Sequence, residues 1–122
     1  MKKIKGKIGF CDNATLGIKD LNGKPLSGGH YVYIREINGN KCDVNVITSL
    51  EYANGNYNAK RLRKVRDGKI YAIPKSDANF SRWSAINLDG NIKNVKISKI
   101  KNIGSKKIKR RHKFFVGKFT KK

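Results

Sequence analysis

On either side of Asn38-Gly39 apolar residues recur at every second position, Val32 and Ile34 before it and Cys42, Val44 and Val46 after it. That pattern predicts two β-strands joined by a tight turn. Asx-Gly pairs recur at Asn22-Gly23, Asn38-Gly39, Asn54-Gly55, Asp67-Gly68 and Asp89-Gly90, with short segments rich in Ile, Val, Tyr and Phe between them. Punctuation of this kind belongs to mostly β folds, small barrels and sandwiches. Strands are expected at 4–11, 30–37, 41–49, 69–73, 93–98 and 109–119. Residues 58–66 read as either a strand or a short helix ended by Gly68, and Ile97, Ile100 and Ile103 at threefold spacing predict another short helical turn.

The register of the hairpin decides which side chains share a face, because a slip of one residue exchanges the two faces completely. A two-residue turn at Asn38-Gly39 groups Tyr31, Tyr33 and Arg35 with Cys42, Val44 and Val46, which makes the tyrosines core residues. A turn with Gly39 in a bulge groups Val32 and Ile34 with Cys42, Val44 and Val46 as a dry face. It leaves Tyr31, Tyr33, Arg35, Lys41 and Asn45 outward, where aromatic rings and a guanidinium can stack on bases. The second grouping separates apolar from polar better.

A chain of 122 residues, 38% of them hydrophobic, supplies one ordinary core. A single domain over residues 1–122 is expected. Cys11 and Cys42 lie in apolar, strand-like surroundings with no Cys or His at short metal-ligand spacing, which reads as reduced core thiols. Gly6, Lys7 and Gly9 interrupt any apolar run after the basic start, and no run approaches the roughly 20 apolar residues of a spanning helix. A cytoplasmic protein with no membrane partner is the expectation.

Charge changes the picture most. Residues 1–59 hold 8 Lys+Arg against 5 Asp+Glu, whereas residues 60–122 hold 21 against 3, a net of +18 out of the chain's +21. A basic half of that density builds a positive potential that attracts polyanions. Two runs carry it: Lys60-Arg61-Leu62-Arg63-Lys64-Val65-Arg66, and Lys106 to Lys113 with Arg110, Arg111 and His112, leading into Phe114-Phe115. Each mixes cations with apolar anchors, as folded elements with one charged face do. Lys60, Arg61, Arg63, Arg66, Arg110, Arg111 and Lys113 are therefore the candidate phosphate contacts, arginine favouring bidentate geometry. Arg82 beside Trp83, the only tryptophan, offers a stacking platform with a phosphate clamp, or else a ring that anchors the core.

Eight scattered carboxylates leave few ligands for a two-metal nuclease site, and no glycine-rich phosphate loop precedes a helix. Neither a metal nor a cofactor is expected. Metal-independent RNA cleavage remains compatible with the composition, since it needs a proton acceptor, a proton donor and cations around the phosphorane. Two histidines, His30 and His112, are the side chains that titrate near neutrality. Arg35 and Thr48 lie in the hairpin that begins at His30.

Three segments, Lys5-Gly6-Lys7-Ile8, Gly28-Gly29-His30-Tyr31-Val32-Tyr33-Ile34 and Val44-Asn45-Val46-Ile47-Thr48-Ser49, resemble the pattern of the MazF/PemK toxins over about residues 5–50. The resemblance implies an SH3-like β-barrel with one or two short helical turns. It also implies a ribosome-independent endoribonuclease acting on single-stranded RNA, usually dimeric and neutralised by an antitoxin, with Thr48 at the family's hydroxyl position. Where that family carries arginine after the glycine this chain has His30, and where proline is usual it has Tyr31. The arginine's role then passes to Arg35 or to a residue of the basic half. The reading that results is a nucleic-acid-binding protein, RNA favoured over DNA, which cleaves RNA without metal through His30, Arg35, Thr48 and His112. Its rivals are a non-catalytic RNA- or DNA-binding module of phage or plasmid origin, and an inhibitor of an acidic protein or ribonucleoprotein.

Overall fold

The Asn38-Gly39 hairpin forms where the alternation places it, and the remaining strands are laid on either side. A computed structural model describes residues 4–51, 54, 56–73, 80 and 83–106. Six strands, β1 (Ile8–Asp12), β2 (Gly29–Asn38), β3 (Lys41–Ser49), β4 (Ile70–Ile73), β5 (Ser84–Lys96) and β6 (Lys101–Lys106), form one antiparallel sheet in the order β4-β5-β3-β2-β1-β6. Helix is the minor component: α1 (Asn13–Leu16), α2 (Ala59–Arg66) and a 3-10 turn, Ile97–Lys99.

Among the described residues the fold is mostly β and its sheet is open, with β4 and β6 at the two edges and not paired with each other, so the expected barrel closure is not seen there. Closure needs the last strand to meet the first edge, and β6 instead pairs with β1. The strand expected at 109–119 lies outside the described residues. β5 is much longer than the 93–98 segment expected, because β3 pairs along its length and its first part is also held by β4. Ser84 to Asn87 pair with β4, while β3 follows the strand from Ser84 to Lys96 across two register shifts.

The hairpin groups its apolar residues as expected, by a different device. Asn38 pairs with Lys41 across a two-residue Gly39-Asn40 loop, and Gly39 has φ 65°, a value that costs glycine nothing. The bulge sits further in, between Ile34 and Glu36, leaving Arg35 as the extra residue. Val32 then faces Val46 and Ile34 faces Val44, and with Cys11, Cys42, Val95 and Ile100 they form one buried cluster.

The other face is not wet. Tyr33 is only 5% exposed and packs with Ile8, Ile47, Ile73, Phe80 and Ile86. Tyr31 sits edge-on to Phe10 and Phe80, with ring centroids 5.4 and 5.1 Å away. Asn45 is fully buried and donates its Nδ2 hydrogen to the Asn87 carbonyl at 2.8 Å. The outward Tyr31/Tyr33/Asn45 surface is thus corrected to a second core. β2 and β3 lie in the middle of the sheet and are covered on both sides, and a phenol or an amide is easily buried once its apolar body is packed or its polar end bonded. Among the described residues no helix is long and apolar enough to cross a membrane.

Candidate nucleic-acid interface

Helix α2 takes its start from Asn58, whose side-chain oxygen accepts the Arg61 backbone N–H at 3.2 Å. An asparagine at this position satisfies a donor that the first helical turn leaves unpaired. Gly68, at φ 75°, follows the end of the helix, as the helical alternative for residues 58–66 required. Val65 packs against the cluster of Leu50, Ile70 and Ala85, which fixes the inner side of the helix. Lys60, Arg63 and Lys64 then share the outer side by their spacing of three and four, and all three are exposed, as is Arg66. Arg66 meets Asp67 at 3.5 Å on the surface.

Arg61 differs from its neighbours. It is half-buried, and its Nη1 donates to the Ser49 carbonyl at the end of β3 at 2.5 Å. This carries a guanidinium to the open end of the hairpin, where His30 lies. The antiparallel register that pairs Tyr31 with Ile47 places His30 across from Thr48 one step further on, with Cys11 on its other flank. Side chains directly opposite stand about 4.5–5.5 Å apart at Cβ.

The imidazole is held. Asn13 Nδ2 donates to the Ser27 carbonyl at 3.0 Å, which turns Asn13 Oδ1 toward His30 Nδ1, 2.5 Å away. An acceptor there makes Nδ1 the protonated nitrogen and leaves Nε2 with the lone pair. Burial, and after it the Arg61 charge, push the His30 pKa below the ordinary histidine value. Neutral imidazole is the form this site favours.

Arg35 is not part of that group. Its place in the β2 bulge directs it to Asp43, 3.6 Å away at the turn end of the hairpin, five residues along the strand from His30. At about 3.3 Å per residue the two are separated by roughly 17 Å of strand, so Arg35 stands apart from His30, and Arg61 is the guanidinium whose charge acts on the imidazole. Tyr33 is in the core and Tyr31 is packed between two phenylalanines, so neither offers an open ring face on the hairpin. Arg82, Arg110, Arg111, His112 and Lys113 lie outside the described residues.

Trp83 is half-buried beside α2. Its backbone N–H donates to Glu51 Oε1 and its backbone carbonyl accepts the Leu50 N–H, each at 2.8 Å. The Leu50 carbonyl in turn accepts the N–H of Asn58, so the same backbone ties the tryptophan to the start of the helix. Leu50, Tyr57, Leu62, Ala72 and Trp83 line a groove of about 270 Å³. Tyr57 and Asn13 escaped the sequence reading. Tyr57 was legible only as an aromatic directly before a helix cap, and Asn13 carried no local signal, since its partners His30 and Ser27 are brought to it by chain folding. No protein-family model matches the chain, and no curated protein matches it.

Proposed function

We propose that this protein binds single-stranded nucleic acid, RNA in preference to DNA, through the exposed basic side of α2. The observation that carries the reading is the cluster Lys60, Arg63 and Lys64, three cations on one side of a capped helix whose opposite side is anchored by Val65. Phosphates along a flexible strand match such a row, and each contact releases condensed counterions. Three contacts at about 0.7 each give a log–log salt slope near −2 from α2 alone, or about a 20-fold loss of affinity between 50 and 200 mM salt. Fluorescence anisotropy with a labelled 12-nucleotide RNA tests this directly. Salt-independent binding, or none, would overturn it in favour of an acidic protein partner.

A second reading, metal-free cleavage of the bound RNA in the manner of the MazF/PemK toxins, is favoured by the Asn13–His30 hydrogen bond and the neutral imidazole it orients. In that reading the 2′-hydroxyl attacks the adjacent phosphorus and its proton passes to His30 Nε2. The bond to the 5′ oxygen breaks, and that oxygen takes a proton from a solvent water. Arg61 stabilises the charge on the phosphorane, and Thr48 contributes a hydroxyl to the same site. Products are a 2′,3′-cyclic phosphate and a 5′-hydroxyl, to be sought after incubation of labelled RNA in EDTA. An uncut substrate at every sequence tried leaves a binding module.

A further inference from the structure

We infer that the groove lined by Leu50, Tyr57, Leu62, Ala72 and Trp83 receives an unpaired base of the strand whose phosphates α2 holds, an assignment that rests on the reading above. The groove is built from the same backbone as the helix. Leu62 belongs to α2 itself and is flanked in sequence by Arg61 and Arg63, so wall and cations are held within one helical turn. Two of its residues are exposed although large and apolar, Tyr57 at 49% and Leu62 at 41%. An exposed apolar surface of this kind marks an interaction site when it is bordered by charge, and here the border is positive. Glu51, next in sequence to Leu50 of the groove, accepts the Trp83 backbone N–H.

Charge complementarity selects the occupant. An aliphatic or aromatic side chain from a protein would satisfy the apolar wall and leave Lys60, Arg63 and Lys64 unused. A single strand uses both, since one base presents a π-face to Tyr57 and Trp83 while the phosphates of neighbouring nucleotides follow α2 round to its outer side. This pairing of aromatic platform and basic track is how single strands are held without sequence preference. A duplex hides its π-faces in the stack and so would engage the cations alone.

Trp83 is the only tryptophan, so its emission reports on the groove without any substitution. The unmodified protein is titrated with a 12-nucleotide single-stranded RNA, with a duplex of the same length and with inorganic polyphosphate, and binding is followed in parallel by anisotropy or competition. Quenching by the single strand alone, saturating together with the anisotropy signal, is expected. Tyr57→Ala, a change at an exposed ring, is expected to weaken single-strand binding about 5- to 100-fold and to leave polyphosphate binding unchanged. If the RNA binds with unaltered Trp83 emission and Tyr57→Ala binds as tightly as wild type, the groove assignment is overturned while the α2 reading stands. Equal quenching by polyphosphate also overturns it, since no base is then involved. Absence of all RNA binding removes both.

Discussion

The two ends of the β2–β3 hairpin each bring an arginine against the strands and put it to opposite use. At the turn end Arg35 occupies a β-bulge and meets Asp43 at 3.6 Å, both side chains being mostly buried, and Cys42 beside them is closed off in the core. At the open end Arg61 arrives from α2 and donates to a neutral carbonyl, that of Ser49. A guanidinium on a carboxylate has its charge cancelled locally, whereas one on a carbonyl keeps it. Burial, and after it that retained charge, lowers the His30 pKa. Nearness in sequence therefore misleads here: the arginine that reaches the histidine is 31 positions away and the one five positions away does not.

Cleavage is where the two ends are expected to differ most. If the second reading holds, His30→Ala lowers RNA cleavage by about 10²-fold or more, and Arg61→Ala by a comparable factor, because each removes a group that acts on the reacting atoms. Arg35→Ala is expected to cost about 1–3 kcal/mol of stability, from a carboxylate left without its partner, and to leave cleavage per folded molecule within about threefold. Chemical denaturation run beside the cleavage assay separates these effects. A loss of turnover in Arg35→Ala equal to that in Arg61→Ala would abolish the distinction between the ends.

The sheet partners explain why part of this was legible and part was not. The dry face of Val32, Ile34, Val44 and Val46 follows from local alternation, and β3 has the expected bounds of 41–49 because turn and periodicity agree there. Asn58 and Gly68 bound the helix for equally local reasons. Burial of Tyr33 and Asn45 depends instead on what covers the opposite face, and Ile73, Phe80 and Ile86 come from 40 or more residues downstream of Tyr33. The first half of β5 was missed for a related cause. Ser84-Ala85-Ile86 has little strand character of its own and is held by pairing on both sides, with Ser49, Thr48 and Ile47 of β3 and with the end of β4.

Cys42 tests how closed the turn end is. Burial, with Asp43 and Cys11 adding to it, pushes its thiol up to about 11 from an ordinary 9.0, which leaves about 100-fold less thiolate near neutral pH even before access is considered. Native-state alkylation of Cys42 is expected to be slower than in denaturant by at least that factor, as followed by intact-mass measurement. Rapid native labelling would mean that the turn end opens, and the contrast with the His30 end would blunt.

Smaller in effect is the loss of the exposed cations. Lys60→Ala, Arg63→Ala and Lys64→Ala combined are expected to lower RNA affinity about 10- to 100-fold near 150 mM salt and to flatten the log–log salt slope by about 2, with folding intact because none of the three is buried. Arg35→Ala, in contrast, is expected to leave the slope unchanged. A triple variant with the wild-type slope would move the phosphate contacts away from α2.

The smallest expected effect is a pH dependence of stability that belongs to one end only. In the unfolded chain His30 titrates near its ordinary 6.5, and in the folded protein burial and Arg61 hold its pKa lower. Above 6.5 both states are neutral at this residue and it contributes no pH dependence. As pH falls through 6.5 the unfolded state takes up a proton that the folded state resists, so stability declines, and the decline levels off below the folded pKa. His30→Gln removes this component while leaving an amide that can donate to Asn13 Oδ1. Arg61→Gln shrinks it by removing the second cause. Urea midpoints measured between pH 7.5 and 5 are expected to fall less steeply in both variants than in wild type, and equally steeply in Arg35→Gln, whose partner is Asp43. A fall in Arg61→Gln as steep as in wild type would mean that the guanidinium does not act on the imidazole, and the open end would then lose the feature that sets it apart.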